Sequence, residues 1–597
     1  MHKLEKILAK RWIACLLLAF LTFAVWGKSL TFDFVWDDYV LIVRNQSILS
    51  LKNIPQIFFT LDAQSAENIG VPLDQKAPSF RPLRTTQYAI LQLLGGKKTP
   101  QPWIFHLTNL IWHTTAVLLL FSIAQLLFQG FGPGGNSRLA AWLVAAAFAV
   151  HPVTSEVVCW NKSLDDIMAT VFILAATRSL LKWTGDVRSV IATAAYFALA
   201  LYSKESSAPF PALAVIIILW RHRLPWRAIA WRTALFFAVF FVFMIHRHFI
   251  LGRSSQADPI SGSYLQTLID TVPALATYFR LLWGIPPFCI DYTYMPSHRA
   301  LLSIGVLAGL ALMVAWAGLT FWSSRTPKLR PFAIGLLWLG IFLLPVSNLL
   351  PMVQYMAERF LYLPLIGWLL ALGASLLLFP ARVKAPWLLA GLIALWIPVS
   401  LTRAEIWRDE VTLFVRSNLQ NPPVERIREN AVVAVFKLPH VAAMFSLAKD
   451  THKLGVGSLP PGQGEAIIAT LSDAHILLPA EPRITSALGI AYAVTGQLTN
   501  ALPLLQLATR HSTNDSQTWV DLGSAYGVAQ DWPNAHVAYE TALRLNPTNI
   551  YALRRYTQMC WNLNEKQKAL PFLRTLHQLE PANEETSLRL KEAEIRP

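Results

Sequence analysis

The chain has 597 residues, a formal net charge of +16, and 54% hydrophobic against 14% charged residues, with a mean hydropathy of +0.42. That length admits several domains, and apolar residues gathered in long blocks exclude an ordinary soluble enzyme in favour of a polytopic membrane protein. The positive excess is not a nucleic-acid footprint, because it collects in short loops between apolar blocks, where it acts as a topology signal.

Lys3, Lys6, Lys10 and Arg11 precede the first apolar block, 12–30. No small-residue cleavage site follows it, and Phe32, Phe34 and Trp36 do not fit one, so the block reads as an uncleaved span. Further blocks lie at 104–128, 138–152, 165–183, 188–203, 206–221, 229–250, 300–322, 332–350, 360–379 and 386–402. They make about eleven spans in all. The block at 265–284 is interrupted by Asp270, Pro273 and Arg280 and reads as re-entrant or interfacial.

With a cytoplasmic N-terminus, the basic loops containing Arg138, Arg178, Lys182 and Arg188, Arg221 to Arg232, Arg325 to Arg330, and Arg382 and Lys384 all fall on the cytoplasmic side. Everything after about residue 403 is then expected outside the cytoplasm. So is a long first outer loop, 31–103, which carries Arg81 and Arg84.

The same topology gathers five polar clusters on the outer face. They are Asp37 and Asp38 within Phe34-Val35-Trp36-Asp37-Asp38-Tyr39; His151 and Glu156 followed by Trp160, Lys162, Asp165 and Asp166; Lys204 and Glu205; Asp291 and Tyr292 in the loop from Pro286 to His298; and Glu358 and Arg359. Charges at span ends also serve as interfacial anchors. On one face, however, His151, Lys204 and Arg359 are suited to hold a phosphate. A carboxylate of the Asp37-Asp38 pair is suited to act as a general base. The acidic residues leave a divalent cation possible, but no spacing demands one, and metal ligands are expected to be none. Cys15, Cys159, Cys289 and Cys560 have no metal-type spacing and read as core residues. P-loop, dinucleotide and zinc motifs are absent from the sequence.

From Arg403 the composition becomes that of a soluble domain. The segment 516–549 fits a 34-residue tetratricopeptide unit, with Trp519, Leu522, Gly523, Tyr526, Ala535, Tyr539, Ala542 and Pro547 at the expected offsets. One period earlier stand Leu488, Gly489, Tyr492, Ala501 and Ala508; one period later stand Tyr556, Ala569 and Pro581. A degenerate unit at 448–481 keeps Ala474 and Pro479. The expected division is a membrane domain, 1–402, a helical linker, 403–447, and a repeat domain, 448–597, whose groove around Tyr492, Trp519 and Tyr526 binds a protein partner. The fold class is all-α: a polytopic helical bundle followed by an α-solenoid.

The order Phe-Val-Trp-Asp-Asp after the first span, His-Pro-x-x-x-Glu-x-x-x-Trp, Lys204-Glu205, Glu358-Arg359-x-x-Tyr362-x-Pro364 and terminal repeats resembles the transmembrane and tetratricopeptide-repeat O-mannosyltransferases and their bacterial relatives. These belong to the GT-C superfamily. The resemblance covers nearly the whole chain. It implies an inverting glycosyltransferase that takes a sugar from a polyprenyl-phosphate carrier and gives it to a protein or glycan acceptor outside the cytoplasm. It also implies Asp37 or Asp38 as base, and His151, Lys204 and Arg359 facing the carrier phosphate, with Glu156, Asp166, Glu205 and Glu358 in support.

Two positions depart from the pattern. Relatives place Arg where Leu164 stands, two residues before Asp166, and Lys162 is the substitute at hand. Bacterial relatives often have Asp where Glu358 stands. A bacterial inner membrane with a periplasmic repeat domain is expected, or an ER membrane with a lumenal one in a eukaryote. The rival readings are a repeat-bearing membrane scaffold without catalysis and a glycan ligase or polymerase. A transporter fits less well, because the ionisable residues lie at one interface and not near the bilayer midplane.

Overall fold

A computed structural model describes residues 8, 10–60, 79–96, 99–131, 137–184, 186–222, 226–252, 261–292, 300–349, 352, 354, 356–379, 385–418, 425–439, 441–442, 444 and 463–595. Arg223, Arg382, Lys384, His298 and the first part of the degenerate repeat, 448–462, lie outside the described residues. Described residues form helices and turns without a strand. They divide into two compact units, Met1–Leu413 and Phe414–Pro597.

Among the described residues, seven helices of the first unit are long and apolar enough to cross a membrane: Arg11–Thr31, Pro102–Phe128, Ile229–Leu251, Ile304–Arg325, Pro327–Val346, Glu358–Leu376 and Pro386–Ile406. This makes a multi-pass membrane unit, with seven or eight such spans against the eleven expected from the sequence. The eighth is a bent pair, Ser137–Val150 and Pro152–Cys159, broken by 46°. The break has a local cause. His151 precedes proline and is extended (φ −67°, ψ 130°), and Pro152 has no N–H to continue the helix. Two expected spans are short apolar helices, Val187–Ser203 and Glu205–Trp220. The helix Leu164–Lys182 carries Asp165, Asp166, Arg178 and Lys182. The block at 265–284 becomes two short helices, Tyr264–Thr271 and Ala274–Leu282, parted at Pro273.

Packing within this unit uses small residues and indole hydrogen bonds. A Cβ on Gly335 would lie 2.5 Å from the Ala371 nitrogen and 2.6 Å from the Gly367 oxygen, so Arg330–Leu343 and Tyr362–Leu376 meet backbone to backbone. Trp26 Nε1 donates to the Ala149 oxygen at 2.7 Å and Trp142 Nε1 to the Ala14 oxygen at 3.1 Å, joining the first span to the bent pair. Trp12, Phe20, Trp231, Phe249 and Ile304 stay exposed, as lipid-facing side chains do.

The second unit contains the helix pairs Pro482–Val494 with Leu498–His511, Ser516–Val528 with Trp532–Leu545, and Ile550–Asn562 with Lys566–Leu579. Gly523 lets Tyr539 close on the first helix of its pair, where a Cβ would lie 3.0 Å from the ring. Asp515, Asn549 and Asn583, one per period, accept the backbone N–H groups of Gln517, Ala552 and Thr586 and so start each unit's first helix. Trp519 and Tyr526 are part-buried against the repeat core, with the Trp519 indole donating to the Thr513 oxygen and the Tyr526 hydroxyl accepting from Gln506 Nε2. Tyr492 is part-buried as well.

Candidate active site

The turn that follows the first span holds its two aspartates differently. Trp36 is left-handed (φ 54°), which reverses the chain just before them. Asp38 is fully buried; its Oδ1 accepts the Lys162 N–H at 2.7 Å and its Oδ2 the Val35 N–H at 3.2 Å. Burial outweighs those bonds and pushes the Asp38 carboxyl up to about 8, with the charge of Asp37 adding to the rise. Asp38 is therefore a brace between the first outer loop and the turn at 160–163. Asp37 is half-buried, and among the described residues no hydrogen bond or ion pair reaches its carboxylate. It interacts electrostatically with Asp38 and Arg359.

The turn at 160–163 is fixed from several sides. Asn109 Nδ2 donates to the Trp160 oxygen at 3.2 Å, Tyr88 OH to the Asn161 oxygen at 2.8 Å, and Trp160 Nε1 to the Val35 oxygen at 3.3 Å. Trp36 stacks on one neighbour of this frame, the Trp160 ring, at 5.1 Å, and Trp160 stacks on Trp407 at 5.5 Å. Two cations address the same Trp160 ring: Lys162 Nζ at 4.8 Å and the Arg359 guanidinium at 5.6 Å from its centroid. Lys162 makes no ion pair among the described residues. Burial, then repulsion from Arg359, Lys204 and Arg81, pulls its ammonium pKa below the ordinary value.

The remaining predicted residues are tied to one another. Arg359 donates through its side chain to Glu156 Oε1 at 2.6 Å and Gln354 Oε1 at 2.5 Å, and through its backbone N–H to Glu156 Oε2 at 3.0 Å. Lys204 pairs with Asp166, and Glu205 with Arg81 at 3.2 Å. Glu358 accepts from the Cys289 N–H at 2.6 Å, Tyr292 OH at 3.0 Å and Arg403 at 2.6 Å. It is thus an internal brace, and Arg403, expected at the start of the linker, is a buried member of the membrane unit.

His151 corrects the expectation that it faces a phosphate. It is fully buried, its Nδ1 accepts the Val153 N–H at 3.3 Å, and its Nε2 meets the Leu282 oxygen at 3.2 Å, so neither nitrogen is left for a ligand. Lys204 is held by Asp166 and stands 3.9 Å from Asp165, so it contributes to a buried charge lattice. Leu164, a departure from the expected pattern, is apolar core beside Phe34, Tyr88 and Phe105.

Sequence reasoning gave no site role to Arg81 and Arg84. Both meet Asp165, Arg84 at 3.6 Å. Their signal was an Arg-Pro-Leu-Arg opening to the helix Pro82–Gly95 inside a loop otherwise read as polar cover.

The comparisons with known proteins agree with the motif order. No family model matches the chain. A protein O-mannosyl-transferase of Caenorhabditis elegans is 25% identical over 389 residues, 64% of this chain and 54% of that protein. The protein O-mannosyl-transferase TMTC4 of Mus musculus is 26% identical over 484 residues, 71% of this chain and 64% of that protein. TMTC3 of Mus musculus is 22% identical over 447 residues, 66% and 46% respectively. The chain spans about half the length of the curated relatives it matches. A solved structure, the APC/C hetero-tetramer Cut9–Hcn1, overlays at a TM-score of 0.26 with 14% identity over 85% of this chain and 92% of its own, too slight a likeness to argue from. The chain is similar to the protein O-mannosyl-transferases.

Proposed function

We propose that the chain is an inverting glycosyltransferase that moves a sugar, mannose by analogy with its relatives, from a polyprenyl-phosphate carrier to a protein hydroxyl on the non-cytoplasmic face of its membrane. One observation carries this reading: Asp38 ties the turn of Asp37 to the turn of Lys162, and among the described residues neither the Asp37 carboxylate nor the Lys162 ammonium has an ion pair, while Asp37 acts on Arg359. Asp37 takes the proton of the acceptor hydroxyl as that oxygen attacks the anomeric carbon. The bond from the anomeric carbon to the carrier phosphate breaks on the opposite side, and Lys162 with Arg359 receives the anionic leaving group. The part-buried Trp36, backed by the buried Trp160, offers an apolar face for a sugar ring at this turn.

Glu156, Asp165, Asp166 and Glu205 each already carry a cationic partner, so a divalent cation would have to displace one to use them. The part-buried aromatics of the repeats support acceptor recruitment by the second unit. The residues carry the same chemistry in a bacterial inner membrane with the repeats periplasmic or in an ER membrane with them lumenal. The test is transfer from polyprenyl-phosphate mannose of defined anomeric configuration to a secreted-protein acceptor by the detergent-purified chain. A product with the opposite anomeric configuration supports the reading. A retained configuration refutes the inverting mechanism. A folded chain that transfers no sugar but captures protein through its repeats supports the scaffold instead.

A further inference from the structure

His536, Cys560 and Glu565 bring their ligand atoms within 4.8 Å of one another at the junction of two repeats. His536 lies on Trp532–Leu545, Cys560 on Ile550–Asn562, and Glu565 at the N-cap of Lys566–Leu579. The spacing in sequence hides the cluster, since only Cys560 and Glu565 are near neighbours and His536 stands one helix earlier. The period exposes it. One repeat earlier the same three positions are Leu502, Tyr526 and Asp531. At this junction a leucine and a tyrosine have become a histidine and a cysteine, and the third position is again a carboxylate.

The protonation of His536 is set by its neighbours. Tyr556 OH donates to Glu540 Oε1 at 2.7 Å, so the contact of 3.1 Å between that hydroxyl and His536 Nδ1 needs the proton on Nδ1. In a neutral ring the lone pair is then on Nε2, which lies 2.9 Å from Glu565 Oε2. Neither atom has an aligned hydrogen bond. With the ring neutral, two acceptors face each other, an arrangement that a proton on Nε2 or a metal cation resolves. A histidine that donates its far N–H to a hydroxyl backed by a carboxylate is held as a metal-ligating histidine is.

We propose that His536 Nε2, Cys560 Sγ and Glu565 Oε2 bind a zinc-type divalent cation that staples two consecutive repeats. A thiolate, an imidazole and a carboxylate match zinc in charge and softness, with a fourth position left for water. Zinc bonds of about 2.0–2.3 Å set tetrahedral ligand atoms about 3.3–3.8 Å apart, so the widest spacing of the cluster closes by about 1 Å on binding while His536 Nε2 and Glu565 Oε2, 2.9 Å apart, move slightly further from each other. Glu565, with its side chain 31% exposed, has the freedom to make that movement. Lys568 stays on the other oxygen of Glu565, 3.0 Å away.

The test uses the full chain in detergent, stripped by chelator and titrated with Co²⁺ alone. Cys560 is the single cysteine of the second unit, so a thiolate-to-cobalt charge-transfer band can be assigned by difference. The expected result is one equivalent of Co²⁺ with tetrahedral visible bands, displaced by Zn²⁺. The charge-transfer band is lost in Cys560→Ser, and affinity falls at least about tenfold in His536→Gln and in Glu565→Gln. Glu565 is part-exposed, so Glu565→Gln reads the site even where Cys560→Ser fails to fold. Absence of a charge-transfer band at saturating Co²⁺ overturns the proposal and leaves a protonated His536–Glu565 pair. A band unchanged in the folded variants overturns it as well, because the cysteines of the first unit would then be the ligands.

Discussion

Replacing Asp38 separates the two aspartates, because only one of them is structural. Asp38 accepts two backbone N–H groups, that of Val35 buried and that of Lys162 part-buried. Asp38→Asn keeps one acceptor and turns an amide N–H₂ toward the second, leaving one buried donor unmet at about 1–3 kcal/mol. Asp38→Ala leaves both unmet, at about 2–6 kcal/mol.

The pH dependence has a definite sign. Burial raises the Asp38 carboxyl from 3.8 to about 8, so around neutrality the folded chain holds a proton that the unfolded chain has released. The stability contributed by this group is complete below about pH 4 and is lost as pH rises through about 8, at up to about 1.4 kcal/mol per unit. Thermal unfolding of the full chain in detergent at about pH 6 and about pH 8 should differ by about 2–3 kcal/mol more in wild type than in Asp38→Asn. The folded fraction of Asp38→Asn should still transfer sugar. A folded, wild-type-stable Asp38→Asn without activity would refute the reasoning and make Asp38 the base.

Two further outcomes follow from the geometry. Lys162→Ala should raise the KM for the lipid-linked donor about 10- to 100-fold, from the loss of one charge-assisted hydrogen bond, with Lys162→Arg recovering part of it; an unchanged donor KM contradicts a phosphate role. Gly335→Val should cost at least about 3 kcal/mol, since its Cβ would meet backbone atoms that cannot yield; a variant with wild-type melting in detergent contradicts the close helix contact.

The repeats could be read directly from the sequence because their physics is local. Small residues at fixed offsets mark close helix pairs, and Asp515, Asn549 and Asn583 recur at the period as caps. The aspartate pair was also visible, but not the difference between its members. That difference depends on the Lys162 N–H, which the fold brings to Asp38 from 124 residues away in the chain. His151 was misjudged because residue type does not reveal where ring nitrogens point, and both of them find partners inside the protein. Arg403 was assigned to a linker because the apolar run stops before it, whereas its partner Glu358 holds it in the membrane unit. The span count differs for a related reason. Apolar blocks record composition, and the bend at His151-Pro152 or the break at Pro273 depends on single residues within them.

The central claim is that Asp37 takes the proton from the acceptor. The most direct measurement compares initial transfer rates of wild type and Asp37→Asn, with donor binding measured on the same preparations. The account predicts a rate loss of about 10²- to 10⁴-fold with donor affinity and melting temperature unchanged. Transfer by Asp37→Asn at a rate near that of wild type would contradict it.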